Sequence, residues 1–285
     1  MIIDSHAHYS HRLYEGEFPY LDRREGSFCL SRGDRRGLLE AMERAGIGLC
    51  IEPSTGLDRI EDQLALVAEY GPHFRLALGI HPKKCAGTVW EDREKLREYV
   101  LTNEIVAIGE TGLDYHLPPD ELDKPLQKQW FEYQIRLAHE RQLPLILHIR
   151  DADQDALEIL SRHREQLHGG VAHCFGGDYQ TAMAYIGLGF ALGIGGRLLQ
   201  EDAALKDAVK RVPLESLLVE TDAPYIRPDI SSLPGSGRQR KKVRNTSLIL
   251  PAVIEKIAAL RGEPRALIEE AVYQNTVRIF RLDGK

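Results

Sequence analysis

The chain has few cysteines, no excess of positive charge and no long apolar run, and each absence excludes a class of protein. Its four cysteines in 285 residues form no Cys-x-x-Cys pair, which favours free thiols in a reducing compartment over a disulfide scaffold or a structural zinc site. With 37 Lys and Arg against 43 Asp and Glu, the protein does not coat nucleic acid by charge alone. No apolar stretch approaches the roughly 20 residues of a membrane helix. Met1–His6 also lacks the features of a signal peptide, so we expect a cytoplasmic protein that does not contact membranes.

The composition is that of a folded enzyme-sized domain. A chain of 285 residues that is 43% apolar is long enough to bury a full core without disulfides or metals as staples. No linker or low-complexity tract divides it, and we therefore expect a single domain spanning 1–285.

Short apolar runs recur along the sequence, and most are followed by a longer amphipathic segment. The candidate strands are Met1–His6, Ile47–Glu52, Phe74–Ile80, Ile105–Glu110, Pro144–Ile149, Gly170–Cys174, Gly189–Ile194 and Leu217–Glu220. Runs of Val, Ile and Leu predict strands buried on both faces, as in a parallel sheet covered by helices. Eight such units predict an α/β fold, the (β/α)8 TIM barrel. A doubly wound open sheet is the alternative, although its usual Gly-rich turn after the first strand is missing.

Two segments interrupt the strand rhythm and are predicted to be long loops at the C-terminal face of the barrel, where active sites are built. The first, Tyr9–Asp34, is polar and aromatic; the second, Ile230–Arg244, is rich in Ser, Gly, Pro and basic residues. The C-terminal segments Ser247–Arg261 and Glu263–Phe280 are predicted to form two closing helices.

Residues that bind divalent metals stand at the ends of many predicted strands: His6 and His8 at the first, His81 at the third, Glu110 at the fourth, His148 at the fifth, His173 at the sixth and Asp222 at the eighth. Each alone is more often a hydrogen-bonded structural residue or a helix cap. In a parallel barrel, however, all these ends meet at one mouth, and imidazoles and carboxylates are the ligands of hydrolytic metals. Their joint placement predicts a metal site.

The ligand-type residues exceed what one catalytic ion needs, since such an ion keeps a position open for water. Two divalent ions about 3.5–4 Å apart would use them all, with Glu110 as the natural bridge. Such a centre keeps a net positive charge and favours an anionic substrate such as a phosphodiester. The ligand types accept Mg, Mn or Zn.

Several motifs in order along the chain resemble those of the TatD family of metal-dependent deoxyribonucleases, which belongs to the amidohydrolase-like barrel superfamily. They are Asp4–His8, Gly79–Pro82, Ile108–Tyr115, Leu147–Ala152, His173–Gly177, Glu220–Tyr225 and Asn275–Arg278. The resemblance implies a TIM barrel with a two-metal centre. One ion would be held by His6, His8, Glu110 and Asp222, and the other by Glu110, His148 and His173. It also implies that His81 lies outside the coordination shell and contacts the scissile phosphate.

The run Arg238–Arg244 carries the candidate substrate contacts Arg240, Lys241, Lys242 and Arg244, and we add Asn245 from the adjoining stretch. A solvated charge run is the usual reading of such a segment, but this one should lie beside the metals and contact phosphates. Aromatic residues of Tyr9–Asp34 could stack on unpaired bases or form a small core of their own.

These observations predict a deoxyribonuclease that trims DNA strands at single-stranded or frayed ends, with Asp222 as general base and Glu110 and His81 completing the catalytic set. An amidase, lactonase or aminoacyl-ester hydrolase is the alternative enzyme, although such sites often use a carboxylated lysine as bridge. A binding module without chemistry is the third hypothesis, and the full ligand set argues against it. We expect no obligate protein partner.

Overall fold

The computed structural model describes residues 1–119 and 121–282. Its strands are β1 (Ile2–Asp4), β2 (Phe18–Arg24), β3 (Ser27–Gly33), β4 (Ile47–Pro53), β5 (Phe74–Leu78), β6 (Ala107–Asp114), β7 (Leu145–Arg150), β8 (Gly170–Ala172), β9 (Phe190–Ile194) and β10 (Leu217–Val219). Its helices are α1 (Arg35–Arg44), α2 (Ile60–Tyr70), α3 (Asp92–Thr102), α4 (Lys124–Arg141), α5 (Asp153–Arg162), α6 (Tyr179–Gly187), α7 (Ala203–Arg211), α8 (Gly237–Arg240), α9 (Leu250–Arg261) and α10 (Arg265–Phe280). Every strand predicted from the apolar runs is present, with bounds shifted by a few residues. Within the described residues, no helix is both long and apolar enough to cross a bilayer.

Eight parallel strands form the sheet at the centre of the fold, in the order β1-β4-β5-β6-β7-β8-β9-β10. The backbone also joins the two outer strands of this order. The Ser5 N–H donates to the Val219 carbonyl at 3.0 Å, and the Asp222 N–H donates to the His6 carbonyl at 2.9 Å. These bonds close the sheet into the predicted (β/α)8 TIM barrel, and they exclude the open-sheet alternative.

The barrel interior is filled by side chains contributed in turn by successive strands, as is usual for this fold. One buried cluster consists of Ile51, Ala77, Val106, Ala107, Ile146, Val171, Ala191, Leu218 and Phe280. Phe280 comes from α10, which also packs on β10 and on the turn that precedes it. The predicted closing helix therefore covers the N-terminal end of the barrel, and the opposite end is left for the site.

The insertion after β1 was predicted to be a loop, but it contains an antiparallel hairpin of β2 and β3. Glu25 and Gly26 connect the two strands with φ values of 49° and 80°, which is the left-handed pair that a two-residue hairpin turn requires. The hairpin docks on the second insertion, because the Leu21 N–H donates to the Arg244 carbonyl at 2.9 Å. The sequence pattern missed it, since the docking partner lies more than 200 residues away along the chain.

Candidate metal centre

The first strand delivers two histidines to the C-terminal mouth of the barrel. β1 ends at Asp4, and the Nε2 atoms of His6 and His8, which follow it, lie 3.2 Å apart. The Nδ1 atom of His8 lies 3.2 Å from the Pro53 carbonyl oxygen. An N–H at Nδ1 donates to that oxygen and leaves the Nε2 lone pair directed at the centre.

Glu110 lies between two groups of histidines and presents one carboxylate oxygen to each. Its Oε2 atom is 3.6 Å from Nε2 of His6 and 3.6 Å from Nε2 of His8. Its Oε1 atom is 2.8 Å from Nδ1 of His148 and 3.3 Å from Nε2 of His173. One buried side chain thus faces histidines with both of its carboxylate oxygens.

A bulge aims Glu110 into this position. Glu110 was predicted to end its strand, but that prediction was wrong, because β6 continues to Asp114. The register between β6 and β7 shifts between Ile108 and Thr111, and the Glu110 N–H donates to the Ser54 carbonyl at 2.9 Å. Bulges of this kind re-aim a side chain beside an active site.

Two carboxylates that the sequence analysis did not single out orient the histidines of the second group. Asp114 Oδ2 lies 3.3 Å from His148 Nε2, and Glu220 Oε1 lies 3.1 Å from His173 Nδ1. A histidine that binds metal through one ring nitrogen usually holds a carboxylate or carbonyl with the other, which fixes its tautomer. Both acids lie within the recognised motifs, but only the folded geometry pairs them with a particular ring.

Asp222 approaches the first group from the loop after β10. Its Oδ1 atom is 3.4 Å from His8 Nε2 and 3.8 Å from His6 Nε2. Its backbone adopts a left-handed conformation with φ of 52°, which costs a non-glycine residue roughly 1–3 kcal/mol and is characteristic of functional sites.

Asn245 supports this loop from below and does not lie on the substrate surface. The side chain is 0% exposed, and its amide nitrogen donates to the carbonyls of Thr221 at 3.0 Å and Tyr225 at 2.7 Å. These two carbonyls flank Asp222. This burial argues against the expected substrate contact, and the two hydrogen bonds instead hold the backbone on either side of Asp222.

The ligand atoms fall into overlapping groups close enough to share an ion. Within each group the candidate atoms lie within 4.8 Å of one another, and the groups are His6, His8 and Asp222; His6, Glu110 and His173; and His81, Glu110 and His148. His81 differs from the others in its tautomer, because its Nδ1 atom accepts a hydrogen bond from the Lys83 N–H at 2.9 Å. The neutral ring therefore carries its proton on Nε2, 3.5 Å from Glu110 Oε1, and presents a donor to the centre.

The electrostatics of the cluster suit a cation. Burial raises the pKa of Glu110, but the nearby His81, His173 and His6 outweigh it and hold that pKa well below its usual value. Burial likewise opposes ionisation of Asp222, yet its bond to His8 and the neighbouring histidines lower its pKa. Both carboxylates are therefore anionic at neutral pH. With the imidazoles around them, they form a donor set that fits divalent metal ions.

The loops around the mouth use much of their predicted binding surface for their own packing. The aromatic residues Tyr9, Tyr14, Phe18 and Tyr20 are buried, so they form the small core that was the alternative to base stacking. In the basic loop, Arg240 donates to the carbonyls of Leu233 and Gly235, and Arg244 donates to the Leu13 carbonyl at 3.2 Å. Lys241 and Lys242 are exposed, and they remain the candidates for phosphate contact.

Both the sequence and the fold match known proteins. The family model for TatD-related DNases matches residues 3–281. The chain belongs to this family. It is 32% identical to the metal-dependent hydrolase YabD of Bacillus subtilis over 99% of this chain and 100% of YabD. It is also 32% identical to the 3′-5′ ssDNA/RNA exonuclease TatD of a Rahnella species over 88% of this chain and 94% of that enzyme. The crystal structure of YJJV, a TatD homologue from Escherichia coli, matches with a TM-score of 0.81 at 30% identity, covering 98% of each chain.

The chain is thus a TatD-family metal-dependent hydrolase that acts on ester bonds, as the motifs predicted. Its site has further groups that the sequence analysis did not assign. Tyr225 is 47% exposed, and its ring centroid lies 6.2 Å from that of His8 and 5.9 Å from that of His11. On the other flank, a cleft of about 270 Å³ runs past His148 and His173 and is lined by Arg150 and Arg197.

Proposed function

We propose that this TatD-family chain is a two-metal phosphodiesterase that removes nucleotides from DNA at single-stranded or frayed ends. The proposal rests mainly on the Glu110 carboxylate, whose two oxygens face different histidines. One of its oxygens faces His6 and His8, and the other faces His148 and His173. A carboxylate shared in this way is typical of hydrolases that hold two ions about 3.5–4 Å apart.

In this proposal His6, His8, Glu110 and Asp222 hold one ion, and Glu110, His148 and His173 hold the other. The orientation of the rings supports their role as ligands. Pro53, Asp114 and Glu220 engage the ring nitrogens that face away from the centre in His8, His148 and His173. When bound, such ions polarise the phosphate and lower the pKa of water so that hydroxide forms near neutral pH.

Asp222 is the group that we assign as general base. Its Oδ1 atom faces the first histidine group at 3.4 Å from His8 Nε2, and its lowered pKa keeps it ionised and able to accept a proton at neutral pH. Asn245 holds the carbonyls on both sides of Asp222 and so keeps the carboxylate at the edge of the site. The attacking water would transfer its proton to this carboxylate.

We assign to His81 the role of stabilising negative charge on the phosphate. Burial and the neighbouring His148 lower the pKa of His81 to about 3, so the ring is neutral at physiological pH. Because Lys83 holds its Nδ1 atom, the ring donates from Nε2. A fixed neutral donor stabilises negative charge that grows on a phosphate oxygen, and it requires no proton transfer.

A nucleic-acid substrate is supported by the surroundings of the centre. The exposed ring of Tyr225 beside His8 is the kind of platform on which an unpaired base stacks. Lys241 and Lys242 add exposed positive charge on the loop after β10. The Rahnella relative, at 32% identity, is a 3′-5′ ssDNA/RNA exonuclease.

The proposal is tested with chelator-treated protein reloaded with Mg, Mn or Zn. The substrates are end-labelled single-stranded DNA, a duplex with frayed ends, a blunt duplex, RNA and an aminoacyl ester. We expect stepwise shortening of DNA strands, bound metal at two ions per chain, and loss of activity on chelation. Preferred hydrolysis of the aminoacyl ester would overturn the nuclease assignment. Full activity without bound metal would overturn the mechanism.

A further inference from the structure

Arg197 occupies an unusual place on the flank of the metal centre. It lies on the turn after β9, and its guanidinium is held by Asp202, with Nη2 3.2 Å from Oδ2. The same side chain lines the cleft that contains His148, His173 and Asp222. A cation is thus held beside the reaction centre by an ion pair, although its side chain is 43% exposed.

The absence of a side chain at Gly176 makes room for this guanidinium. A Cβ atom built on Gly176 would lie 2.0 Å from Nη1 of Arg197 and 2.2 Å from its Cζ. The arginine therefore packs directly on the backbone of the loop that follows His173. This contact and the bond to Asp202 hold the guanidinium at the cleft that Arg197 lines.

Arg150 is the second cation of this cleft. It ends β7, two residues beyond His148, and it lines the cleft together with Arg197. The same two arginines also line an adjoining cleft of about 210 Å³. Apart from these arginines, the first cleft is bordered by His148, His173, Asp222 and apolar or thiol side chains.

We propose that Arg197, with Arg150, forms an anion subsite for a second phosphate of the substrate, the one next to the scissile phosphate. The proposal rests on the phosphodiesterase function argued above and deepens it. The enzyme then selects substrates with at least two phosphates, such as a trinucleotide, over a dinucleotide with one. A planar guanidinium held by a carboxylate on one edge is pre-organised to donate to a phosphate on the other.

The test compares the thymidine dinucleotide TpT with the trinucleotide TpTpT in the metal-loaded enzyme. We expect Arg197→Gln to raise KM for TpTpT by about tenfold, since a charge-assisted bond at a partly exposed site is worth about this much. KM for TpT should be unchanged, because TpT has only the scissile phosphate. An equal effect on both substrates, or no effect on either, would overturn the subsite.

A second variant displaces the arginine without removing its charge. Gly176→Ala pushes the flexible end of Arg197 aside, so we expect it to raise KM for TpTpT as well. Gly187→Ala is the matched control on α6, because a Cβ there meets nothing within 4 Å. If Gly176 acts through Arg197, the double variant Gly176→Ala/Arg197→Gln equals Arg197→Gln alone. Additive losses would overturn this arrangement.

A binding measurement distinguishes a wrong subsite proposal from a wrong proposal for the function. Thymidine 3′,5′-bisphosphate is titrated calorimetrically into chelator-treated wild type and Arg197→Gln. Weaker binding by the variant supports the subsite, even if no thymidine oligonucleotide is cleaved. Absence of cleavage would instead overturn the phosphodiesterase proposal. Equal binding by both proteins, with cleavage intact, would overturn the subsite alone.

Discussion

Replacing Asn245 by leucine tests whether this residue positions Asp222 or contacts substrate. Asn245→Leu keeps the side-chain size but removes both N–H donors from the carbonyls of Thr221 and Tyr225. The Thr221 carbonyl is buried, so leaving it without a partner costs about 1–3 kcal/mol, and the more accessible Tyr225 carbonyl costs about 1 kcal/mol. We therefore expect a loss of roughly 2–4 kcal/mol, which lowers Tm by about 3–7 °C in a protein of this size.

Stability alone does not distinguish a positioning residue, so metal affinity is the deciding measurement. Without Asn245 the strained backbone of Asp222, at φ of 52°, is free to relax. The Asp222 carboxylate then moves away from the first histidine group. Loss of groups that orient metal ligands typically weakens metal binding about 10–100-fold. We expect a loss in this range for one of the two ions, measured by titration of the chelator-treated variant.

The chain offers a closely matched control at the opposite end of the same strand. Asn275, 5% exposed, donates to the carbonyls of Leu214 and Leu217, both at 2.9 Å, at the N-terminal end of β10. Asn275→Leu should therefore lose a similar amount of stability but keep wild-type metal affinity. The reasoning is refuted if the two variants weaken metal binding equally. It is also refuted if Asn245→Leu leaves Tm and metal affinity unchanged and raises only KM, which is the result expected of a substrate contact.

Three further predictions concern the proposed centre and its rim. Glu110→Ala should reduce bound metal from two ions to less than one per chain by elemental analysis, because it removes both of the carboxylate oxygens that face the histidines; a variant that keeps one ion at wild-type affinity would contradict the bridging role. His81→Ala should keep its metal but lose about a hundred- to a thousandfold in kcat, the usual contribution of one such donor, and loss of metal would make His81 a ligand. Replacing Lys241 and Lys242 by alanine should flatten the salt dependence of KM for single-stranded DNA by about 0.7 log–log units per lost phosphate contact, while a small chromogenic phosphodiester is hydrolysed as before; an unchanged slope would show that the loop only solvates the rim.

The sequence by itself determined the barrel and the residue types of the centre. Eight apolar runs of strand length alternate with amphipathic segments. This pattern is visible in the sequence because the residues of each segment show which of its faces are buried. Because parallel strands in a barrel share one C-terminal face, His6, His148 and Asp222 were predicted to meet although they are far apart in the chain. The resemblance to the family further implied which of these residues would bind each of two ions.

Only the tertiary structure decided what each residue faces. Asn245 and Lys241 are near neighbours in one polar loop, yet one is buried beneath Asp222 and the other is exposed, because the hairpin inserted after β1 docks on that loop. The space beside Gly176 is filled by Arg197, which lies on a different strand-to-helix connection. Such contacts join segments that are distant in sequence and depend on packing rather than on local pattern, and so no periodicity or motif in the chain specifies them.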